Sequence, residues 1–270
     1  MKKLSARRRH PLAALVVLLF ALAATGGLYT AFAPAGEAKA EQESSKSLAI
    51  EEGKKLYATG CSSCHGTGGQ GTSDGPSLVG VGAAAVDFQV GTGRMPAQQP
   101  GAQVPKKPKV YDQDEINQLA AYVASLGSGP STPTKDMYDP SGADVARGGE
   151  LFRTNCAQCH NFTGEGGALT HGKFAPDLSG VSEKHIYEAM QTGPQNMPSF
   201  TDGALPEKDK RDIVAYVKEV NGEKSESPGG FKLGGFGPVA EGMFAWIFGL
   251  GALIAVAVWV AARTAKAKKS

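Results

Sequence analysis

The sequence predicts an all-α protein in which two copies of one small domain are strung between two long apolar helices. Three observations lead there. A set of short motifs occurs twice in the same order along the 270 residues. A long uncharged run lies near each end. No stretch carries the strict apolar–polar alternation of a half-buried strand.

The first uncharged run extends from Pro11 to Gly36 and follows the basic cluster Lys2, Lys3, Arg7, Arg8 and Arg9. About 20 apolar residues cross a bilayer as a helix. A cleaved signal sequence has a shorter apolar region and ends at a small-residue site, and Ala38-Lys39-Ala40 offers one. Residues 1–36 are therefore a basic flank with either a membrane span or a signal sequence. Residues 37–47 are polar and rich in Ala and Ser, and they read as a tether. The second span is expected over residues 239–262, with Trp246 and Trp259 toward its two ends as interface anchors. A basic tail, 263–270, carries Arg263, Lys266, Lys268 and Lys269. Lys and Arg favour the cytoplasmic side, so both termini are expected inside and the residues between the spans outside.

The repeat sets the middle of the chain. Gly53-x-x-Leu56-Tyr57-x-Thr59-x-Cys61-x-x-Cys64-His65 matches Gly148-x-x-Leu151-Phe152-x-Thr154-x-Cys156-x-x-Cys159-His160. Pro76-Ser77-Leu78-Val79-Gly80-Val81 then matches Pro176-Asp177-Leu178-Ser179-Gly180-Val181. Thr92-Gly93 and Met95-Pro96 match Thr192-Gly193 and Met197-Pro198, and Tyr122-Val123 matches Tyr216-Val217. Two domains follow, 48–127 and 143–221, with linkers at 128–142 and 222–238. The approach to each motif is expected to be helical, from Leu48 to Thr59 and from Asp144 to Thr154. Each copy closes on an amphipathic helix, from Asp112 to Leu126 and from Pro206 to Val220, with acidic residues in the first turn. A further helix is expected from Glu183 to Gln191. The rest of each middle stretch reads as Gly- and Pro-rich loop.

All 4 cysteines lie in two C-x-x-C pairs, and each pair is followed directly by His. Two sulfurs on one turn can form thioethers with the vinyl groups of a haem, and the next imidazole then lies under the iron. A zinc site would need both pairs around one metal, yet each pair sits in its own copy. A thioredoxin-like pair needs no adjacent His and belongs beside a βαβ unit, which is absent. The distal ligand is expected from Met95 in the first copy and Met197 in the second, each in a Gly-rich loop and followed by Pro. Met190 is the rival in the second copy, but it falls within the expected helix. Thioether ligation raises the potential and closes the iron to substrates.

The remaining histidines, His10, His171 and His185, read as flank, loop or surface. Tyr57 and Phe152 are expected against the porphyrin edge, and Tyr122 and Tyr216 in the core. The loop from Gln98 to Val110, with Lys106, Lys107 and Lys109, is an insertion special to the first copy and reads as a solvated or partner-facing segment. The charge is nearly balanced, 28 Lys+Arg against 26 Asp+Glu, and no basic run lies mid-chain, so nucleic acid is not an expected partner. With no open coordination position, paired carboxylate or activated nucleophile, the chain alone is expected to carry single electrons.

Each copy resembles a class I cytochrome c domain. The whole arrangement resembles the dihaem cytochrome c subunit of the actinobacterial cytochrome bc complex, the menaquinol–cytochrome c reductase. The resemblance implies two tandem class I cytochrome c domains between an N-terminal and a C-terminal transmembrane helix. It implies two covalent haem c groups, one on Cys61 and Cys64 with His65 and Met95 as axial ligands, the other on Cys156 and Cys159 with His160 and Met197. It also implies a place in a multi-pass cell-membrane assembly with a cytochrome b subunit and a Rieske iron–sulfur subunit. Electrons would pass from the Rieske centre to the terminal cytochrome c oxidase within one supercomplex. The rival readings are a dihaem subunit of a cytochrome c oxidase, a dihaem peroxidase and a soluble dihaem shuttle. The Met-Pro pair in both loops counts against the peroxidase, and the C-terminal helix counts against the other two.

Overall fold

The computed structural model of the chain describes residues 11–32, 35–101, 103–222 and 238–267. The basic N-terminal flank with His10, most of the second linker, and Lys268 and Lys269 lie outside the described residues. Helix α1, Pro11–Phe32, and helix α8, Pro238–Ala267, occupy the two apolar runs. Both are long and apolar enough to cross a membrane, over Leu12–Thr30 and Gly242–Arg263, and neither window is buried against the domains. Helices apolar all round and left bare by their own chain need lipid or partner helices to cover them. At the end of the second window the Arg263 guanidinium lies 4.4 Å over the Trp259 ring, a cation–π contact suited to an interface.

Helix α2 spans Ala35–Gly60 and is far longer than the segment expected before the first haem motif. The expected tether, 37–47, forms its first turns. Its Ala, Glu, Lys and Gln residues are strong helix formers, and no Gly or Pro breaks the run into Leu48. The first domain adds α3, Gly82–Gly91, and α4, Gln113–Ser125. Asp112 caps α4 by accepting from the Glu115 amide, while the Glu115 carboxylate accepts from the Asp112 amide. The second domain has α5, Val145–Asn155, α6, Glu183–Thr192, and α7, Glu207–Asn221. Asp144 caps α5 through the Arg147 amide, and Ser182 caps α6 through the His185 amide.

The matched glycines of the repeat explain why each domain closes. In the first domain α2 crosses α4 at Gly53, where a Cβ would overlap the Gln118 carbonyl. In the second, α5 crosses α7 at Gly148, where a Cβ would overlap the Asp212 carbonyl. Around these crossings lie two separate cores. Tyr57, Val86, Ile116, Leu119 and Val123 build one. Phe152, Ile186, Tyr187, Ile213 and Val217 build the other.

Helix α3 was not expected; its segment read as loop. Its run of Ala and Val between glycines is too short for periodicity to show, but it holds the place in the repeat that α6 holds in the second copy. A two-residue antiparallel hairpin, β1 Gly167–Ala168 with β2 Phe174–Ala175, is special to the second copy.

The two domains meet face to face, α3 against α6. Their copy-specific insertions also touch. The Gln103 side-chain amide donates to the Phe174 carbonyl at 2.7 Å and accepts from the Phe174 amide at 3.0 Å. Gln195 donates to the Val104 carbonyl at 3.1 Å. The lysine-bearing loop is thus a bridge to the second domain as well as a solvated segment.

Candidate haem sites

Each C-x-x-C-H motif sits where an entry helix ends. After α2, the Cys61 amide donates to Tyr57 O at 2.9 Å, and one helical turn, Ser62–His65, presents the histidine. After α5, the Cys156 amide donates to Phe152 O at 2.8 Å, and the turn Ala157–His160 does the same. The two pairs lie in separate domains, so they do not close around one metal.

The histidines are oriented alike. His65 Nδ1 lies 2.8 Å from the Pro76 carbonyl, and His160 Nδ1 lies 3.1 Å from the Pro176 carbonyl. A carbonyl only accepts, so Nδ1 carries the proton and Nε2 keeps its lone pair for a metal. Such a bond fixes the tautomer and ring angle of a ligating imidazole. Both rings are buried. Burial holds the His160 pKa below its ordinary value, against the opposing pull of the Pro176 bond, and so favours the neutral ligand.

The backbone around each ring repeats. Gly71 N donates to His65 O at 2.8 Å and Gly166 N to His160 O at 3.0 Å. Leu78 N donates to Gly69 O at 2.7 Å and Leu178 N to Gly164 O at 2.8 Å. Pro76 and Pro176 were visible as matched residues, but their role as acceptors for the rings was not.

The first sulfur of each pair is shielded from water, Cys61 in part and Cys156 fully, whereas Cys159 is exposed. Burial, helped by the neighbouring Cys64, pushes the Cys61 thiol up to about 11. Burial, helped by Cys159, pushes Cys156 up to about 12. Zinc ligands and redox pairs need accessible thiolate, which this setting opposes. Uncharged thioether sulfur fits it.

Met95 and Met197 are partly buried, each packed against its own domain's core. Their loops are shaped by the preceding glycine. Gly93 has φ 74° and Gly193 has φ 61°, conformations a side chain rarely adopts. A Cβ on Gly193 would meet Ser199 N at 2.5 Å and Met197 O at 2.8 Å. Met190, the rival, lies within α6 as expected and faces the core of the second domain. Tyr57 and Phe152 are both fully buried, at 5.0 Å from the Tyr122 ring and 5.3 Å from the Tyr216 ring respectively. His171 is exposed at the hairpin turn. His185 departs from its reading as a surface residue. It lies half-buried between the domains beside Phe88, Asp87 and Glu188, a cluster that sequence reasoning missed. Its signals were faint: one acid, Asp87, in the run from Ala83 to Val90, and Glu188 in mid-α6.

Comparison with known proteins agrees with this geometry. Residues 50–127 match the cytochrome c family model, and residues 143–217 match the model for cytochrome c oxidase, cbb3-type, subunit III. The cytochrome bc1 complex cytochrome c subunit of Mycobacterium tuberculosis is 49% identical over 264 residues, covering 96% of this chain and 93% of that protein. Its namesake from Corynebacterium diphtheriae is 45% identical over 282 residues, covering 97% of this chain and 99% of that protein. The cbb3-type cytochrome c oxidase subunit FixP of Bradyrhizobium diazoefficiens is 27% identical over 193 residues, covering 66% and 63%. Two cytochrome c domains, each with a C-x-x-C-H turn and an oriented buried imidazole, carry two covalently bound haem c groups. With two exposed apolar helices added, the chain belongs to the family of membrane-anchored cytochrome bc1 complex cytochrome c subunits.

Proposed function

We propose that the chain is the dihaem wire of a respiratory quinol–cytochrome c reductase, taking single electrons from the Rieske iron–sulfur subunit and delivering them to the terminal cytochrome c oxidase. A haem c iron supplies one-electron redox chemistry. Cys61 and Cys64 would hold the first haem and Cys156 and Cys159 the second. His65 and His160 would ligate through Nε2 and Met95 and Met197 through sulfur. The observation that carries the reading is the repeated orientation of the two histidines by Pro76 and Pro176 on a chain close in sequence to bc1 complex subunits over nearly its whole length. The same relationship favours a cytochrome b subunit and a Rieske subunit as partners, with the oxidase in one supercomplex. The apolar helices would anchor the chain in the cell membrane, with the haem domains on the outer face and both termini in the cytoplasm.

A second reading has one observation behind it. The second domain matches a cbb3-type oxidase subunit III model, so the chain could be a dihaem oxidase subunit. The bc1 relatives are nearly twice as identical and cover 96% of the chain, against 66% for the oxidase subunit. Extraction of membranes in mild detergent separates the two. Co-purification with cytochrome b and a Rieske protein is expected. Recovery only with an oxidase lacking both overturns the bc-complex reading.

A further inference from the structure

Between the domains, Asp87 on α3 faces His185 and Glu188 on α6. One ligand atom from each lies within 4.8 Å of the others. Asp87 is 2% exposed and Glu188 0%. Neither Glu188 carboxylate oxygen, nor Oδ1 of Asp87, has a hydrogen-bond partner among the described residues. Buried carboxylate oxygens without a hydrogen-bond donor are rare, because each has lost its water. Two acids here face one ammonium. Lys184 pairs with Asp87 Oδ2 and lies 3.8 Å from Glu188 Oε1. Lys184 keeps 26% of its side chain exposed, so it can swing outward to water. His185 turns Nε2 toward Glu188 Oε2, at 4.0 Å. Gly91 leaves room at the same spot, since a Cβ there would press on His185 Nε2 at 3.2 Å and Asp87 Oδ1 at 3.4 Å.

We propose that Asp87, His185 and Glu188 form a divalent-cation site that clasps the two haem domains together. One imidazole nitrogen and two carboxylates form a donor set suited to Zn2+ or a similar first-row ion. The ion supplies the positive charge that the orphaned oxygens lack, and Lys184 leaves as it enters. The ligands come from both domains, so a bound ion ties α3 to α6 and fixes how the haem domains sit. None of the three belongs to a haem motif, and the repeat does not generate the site. Asp87 corresponds to Tyr187, and Glu188 to Phe88.

The test uses the haem-loaded full chain in detergent, stripped with a chelator and then titrated with Zn2+ alone. Bound zinc is counted against haem iron by elemental analysis. One tightly held Zn2+ per chain is expected, and it is lost in Glu188→Gln and His185→Asn while the haem spectra stay unchanged. Lys184→Met, which removes the competing ammonium, is expected to tighten binding. Wild-type protein that holds no zinc overturns the proposal without any variant. Zinc retained equally by wild type and Glu188→Gln overturns it too.

Discussion

In the first domain the carbonyl that orients the histidine is reached through Gly75, where a Cβ would press on Cys64 O at 2.8 Å and His65 Nδ1 at 3.1 Å. In the second domain the same position is Ala175, held in a hairpin that the first domain lacks. His65 and Pro76 are 11 residues apart, but His160 and Pro176 are 16 apart. The bond from ring to proline survives in both. The same ring-to-carbonyl contact is reached across loops of different length. Away from the haem the domains diverge further. Where the first has buried Ile116, the second has buried Lys210, paired with Asp202 at 2.6 Å. Where the first has half-buried Gln118, the second sinks Asp212, which accepts from the Asp144 amide at 2.9 Å and from Lys208 at 2.6 Å. A buried ion must be paired to be tolerated, so the second domain depends on ion pairs at places where the first has the uncharged Ile116 and Gln118.

That contrast can be broken at several points. The largest effect belongs to the thioethers. Cys61→Ser with Cys64→Ser is expected to remove the covalent haem of the first domain, and Cys156→Ser with Cys159→Ser that of the second, halving the haem per chain on a haem-stained denaturing gel. Loss of both haems from either variant would mean that the domains do not mature independently. Next come the helix crossings. Gly→Ala within a helix ordinarily gains up to about 1 kcal/mol, but at Gly53 or Gly148 the overlap with a carbonyl reverses the sign. Destabilisation of about 1–3 kcal/mol or more is expected for each, read from denaturant unfolding of the affected domain. Met95→Leu and Met197→Leu are expected to lower the potential of one haem each, because a thioether ligand raises it. A redox titration that moves neither haem would remove these two methionines as ligands. The smallest effect is Gln103→Ala, at about 1 kcal/mol or less. Faster amide exchange at Phe174 is its expected signature, with both haem spectra unchanged.

Much of this was legible in the sequence because it repeats. Gly53 and Gly148, the two C-x-x-C-H motifs and the Thr-Gly before each methionine recur in register, and recurrence exposes what one copy alone would hide. The α5, α6 and α7 boundaries fell within a residue of expectation, since Asp144, Ser182 and Pro206 are strong start signals. Helix α3 was hidden because its run is short and apolar, and the first turns of α2 because polar composition alone does not separate a tether from an exposed helix. The interface was hidden for another reason. Asp87, Lys184, His185 and Glu188 break the repeat, and Gln103 meets Phe174 across two unrelated insertions. Contacts between non-equivalent positions leave no pattern along one chain.

The relay itself is tested most directly by mixing the purified complex with menaquinol and following the c-type haem absorption, with the Rieske subunit present and then depleted. Reduction of both haems is expected only when the Rieske subunit is present, followed by their reoxidation once the oxidase receives oxygen. Equally fast reduction without the Rieske subunit, or reduced haems that the oxidase never reoxidises, would contradict the place of this chain between the two machines.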